Sequence, residues 1–377
     1  MPAKRSGSRK EQRTGANASG PKNGVLDGLR REIDAIDDQV LALLNARGRV
    51  VQKVGEYKRE QATHIHVPER ERLVLDRLFR QNTGPLSNRA IEAIYREIFS
   101  AAISLEREIR AAYLGPEGTF SHLAALRYFG SSAGYLPQPA IDDVFRAVEQ
   151  QRADYGLVPL ENSTEGTVTY TFDRFVDTPV KICAETYVEI HHHLLSTTGD
   201  SGKIRHIYSF SQPFAQCRQW LARNMPGIEI RPATSSANAA ELAAGDPKAA
   251  AIASELAADL YGLKYAARRI EDLSQNETRF AVIGLQETKP TGRDKTTLVC
   301  SVKDEPGILF RLLQPAARAK INLSKIESRP SRTRKWESVF FFDLMGHAHD
   351  PKVSRVLSQM RACCQLFRVL GSYPAAR

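Results

Sequence analysis

Arg30, Arg47, Lys58, Arg70, Glu71 and Glu106 are four cations and two acids that could together hold a small dianion. Arg47 stands out because of its company. From Leu26 the apolar residues recur with heptad spacing, Leu26, Ile33, Val40 and Val54 on one row and Leu29, Ile36, Leu43, Val50 and Tyr57 on the other, and Arg47 takes the remaining place in the first row. A guanidinium turned into a helix seam costs several kcal/mol without an anion, which can be a ligand carboxylate or a protein acid; an arginine snorkelling out of the seam fits the residue equally well. Lys58 lies eleven positions on, about 20° around the axis, so both cations point along one face, whereas Arg30 is about 100° from Arg47 and addresses another pocket or a partner chain. Taken singly, each of these charges is also explained as solvated surface.

The rest of the chain offers polar clusters of other kinds. Gly115 and Gly118 permit close approach of a loop before a helix at Ser121, whose N-terminal amides favour an anion. Asn162, Ser163 and Thr164 read as a capping loop before a helix. His191, His192 and His193 lack a neighbouring acid at ligand spacing, and in a strand the middle one faces away, so they read as a polar strand end rather than a metal site. Five cysteines, Cys183, Cys217, Cys300, Cys363 and Cys364, are odd in number without ligand spacing, which argues against a disulfide framework and a zinc site and for a reducing cytoplasm.

Three regions of different pattern must position these residues. Of the formal +10 charge, +5 lies in residues 1–24, with six Lys/Arg against Glu11; this Gly- and Ser-rich stretch reads as a disordered basic leader without the aromatic interleaving of a nucleic-acid binder. No apolar run approaches membrane-spanning length. Residues 25–110 read as all-helical: a helix over 26–61, a second with Pro68 near its start, and a third from Ser87 to near Arg110. The first is roughly 50 Å long, more than two short helices cover, so its rows call for a second copy of the chain. Residues 111–287 alternate short apolar strands with helices, an α/β pattern. Residues 288–295 read as a polar linker, and 296–377 as a βαββαβ ferredoxin-like unit.

LRREIDAIDDQVLALLNAR, VGEYK and PERE resemble the all-helical chorismate mutases. The resemblance implies an intertwined dimer of three-helix chains. In it Arg30 of the partner chain, Arg47 and Arg70 hold the two carboxylates of chorismate, Lys58 and Glu106 bond its ether oxygen, and Glu106 acts in its protonated form. The reaction is a unimolecular rearrangement that needs a held conformer and charge stabilisation, with no nucleophile. Val67 and Ala102 stand where relatives can have Asp and Ser, so contacts to the substrate hydroxyl fall mainly to Glu71.

YLGPEGTFS, YGLVPLENSTEGTV, SQPFAQCRQWL and NETRF, in that order, resemble prephenate dehydratases. The implied fold is two α/β lobes around a cleft, as in periplasmic solute-binding proteins. Thr278 is the position this family assigns to helping the ring hydroxyl leave; Asn162, Ser163, Thr164, Gln212, Gln216, Arg279 and Phe280 are the implied substrate-binding set, in which Arg279 orients the loop or pairs with a carboxylate. Phe210-Ser211 replaces a His-Pro pair common in the third motif, which excludes a histidine at that point. DEPGILFRLL and INLSKIESRPSR are similar to amino-acid-binding ACT modules. Here the resemblance implies phenylalanine bound between two modules, with Gly307, Ile308, Leu309, Asn322, Leu323, Glu327, Ser328, Arg329 and Pro330 as the site.

The expectation is therefore a cytoplasmic homo-oligomer, a dimer or dimer of dimers, that converts chorismate to prephenate and on to phenylpyruvate under phenylalanine feedback. No metal, nucleotide or flavin is called for. The rival readings are a dehydratase, of prephenate or arogenate, whose helical segment only dimerises, and a non-catalytic amino-acid sensor.

Overall fold

A computed structural model describes residues 21–60, 68–330 and 338–376. The leader up to residue 20, Val67 and the expected strand start at Trp336 lie outside the described residues. By contacts the chain forms two units that divide at Lys53 and Val54.

Helix α1 runs Pro21–Glu60, about 60 Å at 1.5 Å per residue. In the part up to Lys53 its heptad rows are open: Leu43 is 71% and Val50 60% exposed. The second unit begins with the last turns of α1. Helix α2 is Pro68–Gln81 and α3 is Asn88–Ser104, capped by the Ser87 hydroxyl, which accepts from the Ala90 amide. The third helix stops at Ser104, not near Arg110. Arg107 still bonds back to Ile103, but the Arg110 amide turns to the Asp154 carboxylate, and the apolar run that follows is worth more in a sheet.

The α/β region consists of β1 (Arg110–Leu114), α4 (Phe120–Phe129), β2 (Gly134–Gln138), α5 (Ile141–Glu149), β3 (Tyr155–Asn162), β4 (Gly166–Thr167), α6 (Thr169–Phe175), β5 (Lys181–Glu189), β6 (His193–Ser196), β7 (His206–Ser209), α7 (Ser211–Gln216), α8 (Arg218–Asn224), β8 (Glu229–Pro232), α9 (Ser236–Ala244), β9 (Ala249–Ala253), α10 (Glu255–Tyr261), β10 (Lys264–Ala267) and β11 (Glu277–Gly284). These make two lobes. One holds the sheet β2-β1-β3-β11-β5 with β4 paired to β3; the other holds β10-β6-β9-β7-β8. The chain crosses between lobes twice, after β5 and before β11. The crossings bond to each other, Ile190 N to Asn276 O at 2.8 Å and Ile270 N to His192 O at 2.8 Å. This is the two-lobed arrangement the resemblance implied.

The last region is β12 (Asp294–Ser301), α11 (Ile308–Arg318), β13 (Leu323–Pro330), β14 (Ser338–Met345), α12 (Pro351–Arg361) and β15 (Leu366–Pro374), with sheet order β13-β14-β12-β15, a ferredoxin-like unit. The segment expected to be a free linker is partly strand: Asp294 and Lys295 open β12 and are buried. One face of this sheet carries α11 and α12 over Leu298, Leu312, Phe342 and Met360. Its other face packs on the first lobe's sheet, with Val299, Phe341, Leu370 and Tyr373 in one core with Val158, Ile182, Ala281 and Ile283. Gly371 is required there, because a Cβ would meet the Ile182 carbonyl oxygen at 2.1 Å.

Candidate active sites and regulatory module

Strand pleating decides what faces the cleft. Thr278 on β11 is the register partner of Asn162 on β3, and Arg279 is the partner of Glu161. Directly opposed residues share a face and neighbours along a strand alternate, so Asn162 and Thr278 point one way and Glu161 and Arg279 the other. The Asn162 carbonyl oxygen accepts from the amides of Thr164 and Glu165, both at 3.0 Å. That fixes the side chain's orientation. Its NH₂ then donates to Thr278 Oγ1 at 2.9 Å and to Asn276 Oδ1 at 2.7 Å. With a lone pair of Thr278 engaged, its hydroxyl hydrogen is left to donate elsewhere.

The network continues into the second lobe. Asn276 Nδ2 donates to Gln216 Oε1 at 3.0 Å, and Gln216 Nε2 donates to Glu165 Oε1 at 3.1 Å. His192 Nε2 lies 2.7 Å from Gln216 Oε1; an oxygen can only accept, so Nε2 carries the proton and Nδ1 is bare. Burial holds the His192 imidazole below its ordinary value, which keeps it neutral. Ser163 bonds the Gln275 carbonyl and accepts from the Glu277 amide, pinning the second crossing. Gln212 is exposed on the first turn of α7, one turn ahead of Gln216. Gly118 sits at φ +83°, which requires glycine, and a Cβ there would lie 3.5 Å from Ala237, Leu260 and Tyr261 of the second lobe.

Three expectations for this region are corrected. Arg279 pairs with carboxylates, one of the readings expected of it, but on the face opposite the cleft, where it is buried with its guanidinium 2.8 Å from Glu185 and 2.7 Å from Asp343. Phe280 is 2% exposed in the core with Tyr113, Leu123 and Val282, so it supports the strand and is no substrate contact. Thr164 does not cap a helix. It lies in a turn that leads to β4, with Gly166 at φ +84°, and the helix starts only at Thr169. Asn276, His192 and Glu165 were missed. Asn276 stands two residues before Thr278 in the same motif, a signal that was available; His192 arrives only through the lobe crossing.

In the helical region Lys58 and Glu106 converge, Nζ to Oε2 3.6 Å, with side chains 22% and 6% exposed. Gly55 makes room for this. A Cβ at Gly55 would lie 2.8 Å from Glu106 Cγ and 3.2 Å from Oε2, so the carboxylate rests against the helix backbone one turn before Lys58. Glu71 is engaged by Arg96, Oε2 to Nη1 2.8 Å, which is not the open hydroxyl-binding acid expected. Arg70 is exposed, and Ala102 is buried in α3. In the first unit Arg47 is half-buried, and Arg30 is exposed with Asp27 at 3.5 Å.

In the ferredoxin-like unit Gly307 caps α11 at φ +77°, with Ile308 half-buried and Leu309 42% exposed beyond it. Along β13 the residues alternate. Ser328 and Pro330 are exposed, while Glu327 accepts from the Thr167 hydroxyl at 2.8 Å and Arg329 lies 3.3 Å from Asp173. Glu327 and Arg329 thus both reach across the seam to the first lobe. Asn322, exposed, and Leu323, half-buried, begin the strand at its other end. Among the described residues no group of three or more His, Cys, Asp or Glu could hold a metal ion, and no helix is long and apolar enough to cross a membrane.

Three family models match in order: chorismate mutase type II over 29–107, prephenate dehydratase over 111–288 and the ACT domain over 296–362. The bifunctional chorismate mutase/prephenate dehydratase of Aquifex aeolicus (strain VF5) is 46% identical over 355 residues, 93% of this chain and 98% of the relative. That of Stutzerimonas stutzeri is 44% identical over 357 residues, with the same coverage. Among solved structures, prephenate dehydratase from Arthrobacter aurescens in complex with L-Phe matches with a TM-score of 0.66 and 33% identity, over 71% of this chain and 90% of that one. The chain therefore belongs to the family of bifunctional chorismate mutase/prephenate dehydratases, an isomerase joined to a carbon–oxygen lyase and an ACT domain.

Proposed function

We propose that the helical region rearranges chorismate with Arg30 of a partner chain, Arg47 and Arg70 on its carboxylates and with Lys58 and Glu106 at the ether oxygen. Both groups stabilise negative charge as the carbon–oxygen bond breaks, Lys58 by its charge and Glu106 by donating a hydrogen bond. The open apolar rows of α1 support a homodimer. In the cleft, prephenate loses its ring carboxylate as carbon dioxide, and the released electron pair moves through the ring and expels hydroxide. Thr278 donates a hydrogen bond to that leaving oxygen, while Asn162, Asn276, Gln216 and Ser163 hold the cleft around it.

The observation that carries the dehydratase reading is the hydrogen bond from Asn162 to Thr278, which leaves the Thr278 hydrogen free to donate. Phenylalanine binds the ACT domain and inhibits by favouring one arrangement of paired modules over another. Reduced cysteines fit a cytoplasmic location. A second reading, a dimerising helical region of low mutase activity, draws support from the Glu71–Arg96 pair and Ala102. Incubating the full chain with chorismate and quantifying prephenate and phenylpyruvate, with and without phenylalanine, separates the readings: the bifunctional one requires both products and less phenylpyruvate with the inhibitor.

A further inference from the structure

The residues on the back of the cleft's strand pair are held by the ACT sheet. Glu161, next to Asn162, receives Lys325 Nζ of β13 at 2.9 Å, and Lys325 also reaches the Thr167 hydroxyl at 3.2 Å. Arg279, next to Thr278, receives Asp343 of β14 at 2.7 Å. Glu161 and Arg279 are themselves register partners. The surroundings are rigid and charge-balanced: Glu185 takes both Arg279 and Lys295 of β12, Lys295 at 2.8 Å, and the Arg279 guanidinium donates to the Tyr373 hydroxyl at 3.1 Å. Two cations and two acids, all at most 8% exposed, have no water to substitute for a lost partner.

We infer that Glu161 and Arg279 are positioning residues for the Asn162–Thr278 pair, and that the Lys325–Glu161 and Asp343–Arg279 ion pairs carry the ligand state of the ACT domain to the dehydratase site. Strands are stiff and their neighbours alternate in direction, so a shift of the ACT sheet that drags Arg279 or Glu161 also turns Thr278 or Asn162. Two contacts grip one pleat from behind. This rests on the proposed phenylalanine inhibition and assigns the route by which it acts.

The test uses full-length Asp343→Asn and Lys325→Met, neither of them a group in the cleft. Phenylalanine affinity is measured by calorimetry and phenylpyruvate formation is measured at saturating phenylalanine, with mutase activity of the same preparation as the check on folding. The expected result is an unchanged phenylalanine affinity with residual dehydratase activity raised about fivefold or more, the low end of a typical coupling. A purely structural seam would not split binding from inhibition in this way. Lys325, at the seam's margin, keeps the test alive if Asp343→Asn fails to fold. Inhibition identical to wild type in a folded variant overturns the inference, as does loss of phenylalanine binding, which would put the residue in the ligand site. A wild-type chain that phenylalanine binds without inhibiting, or does not bind at all, instead overturns the regulatory reading beneath it.

Discussion

Asn162 donates its side-chain NH₂ to Thr278 Oγ1 at 2.9 Å, across the register pair that joins the end of β3 to the start of β11. The bond has a direction, because the Asn162 oxygen is already occupied by the amides of Thr164 and Glu165. Asn162→Asp keeps the shape and replaces the donor with an acceptor, so the Thr278 hydrogen turns toward it and away from the substrate. A fall in dehydratase kcat of about 10²-fold is expected, with mutase activity retained. An active Asp variant would mean that Thr278 does not donate.

Gly55 sets where Glu106 lies. Gly55→Ala places a methyl 2.8 Å from Glu106 Cγ, and the carboxylate must leave its position 3.6 Å from Lys58. Mutase kcat/KM should drop by about tenfold or more while prephenate turnover is untouched, since about 1.4 kcal/mol of transition-state contact corresponds to tenfold. Assaying both half-reactions on one preparation reads this out.

Glu106→Gln keeps a hydrogen-bond donor at the ether oxygen, whereas Glu106→Ala removes it. Mutase kcat should fall by about 10²-fold in the Ala variant and much less in the Gln variant, with prephenate turnover retained in both. Chorismate consumption and phenylpyruvate formation on one preparation make the comparison.

Acid should destabilise the α/β region. Burial lowers His193 to about 4 and also lowers His192 and His122, so the folded chain resists protons that the unfolded chain takes up near 6.5. The unfolded state binds more protons below that value; stability is therefore full above about pH 6.5 and is lost as pH falls toward 4. His193 Nδ1 accepts from the Arg269 amide, a role Asn can imitate, so His193→Asn should show a shallower fall in Tm between pH 7 and pH 5 than wild type.

The three regions were legible because their patterns differ, heptad rows in α1 against short continuous apolar runs such as β9 (AAAIA). Strands β2 and β5 are not legible, since GYLPQ and KICAETYVE carry Pro, Lys and Glu that local pattern counts against a strand. Glu185 and Lys181 are tolerated because the ACT sheet lies over that face, a long-range fact. The same cause hid the role of Arg279. A motif residue next to Thr278 reads as part of the cleft until the pleat and the opposing Asp343 are known. The joint role of Lys58 and Glu106 came from a resemblance, whereas Gly55, inside the quoted VGEYK, carries no charge to draw notice.

The central claim is that one chain holds two consecutive sites with separate machinery. Supply Thr278→Ala with chorismate and follow both products: the account predicts that prephenate forms at the wild-type rate and accumulates, with phenylpyruvate formation cut by about 10²-fold or more. Phenylpyruvate at the wild-type rate, or no consumption of chorismate, would contradict it.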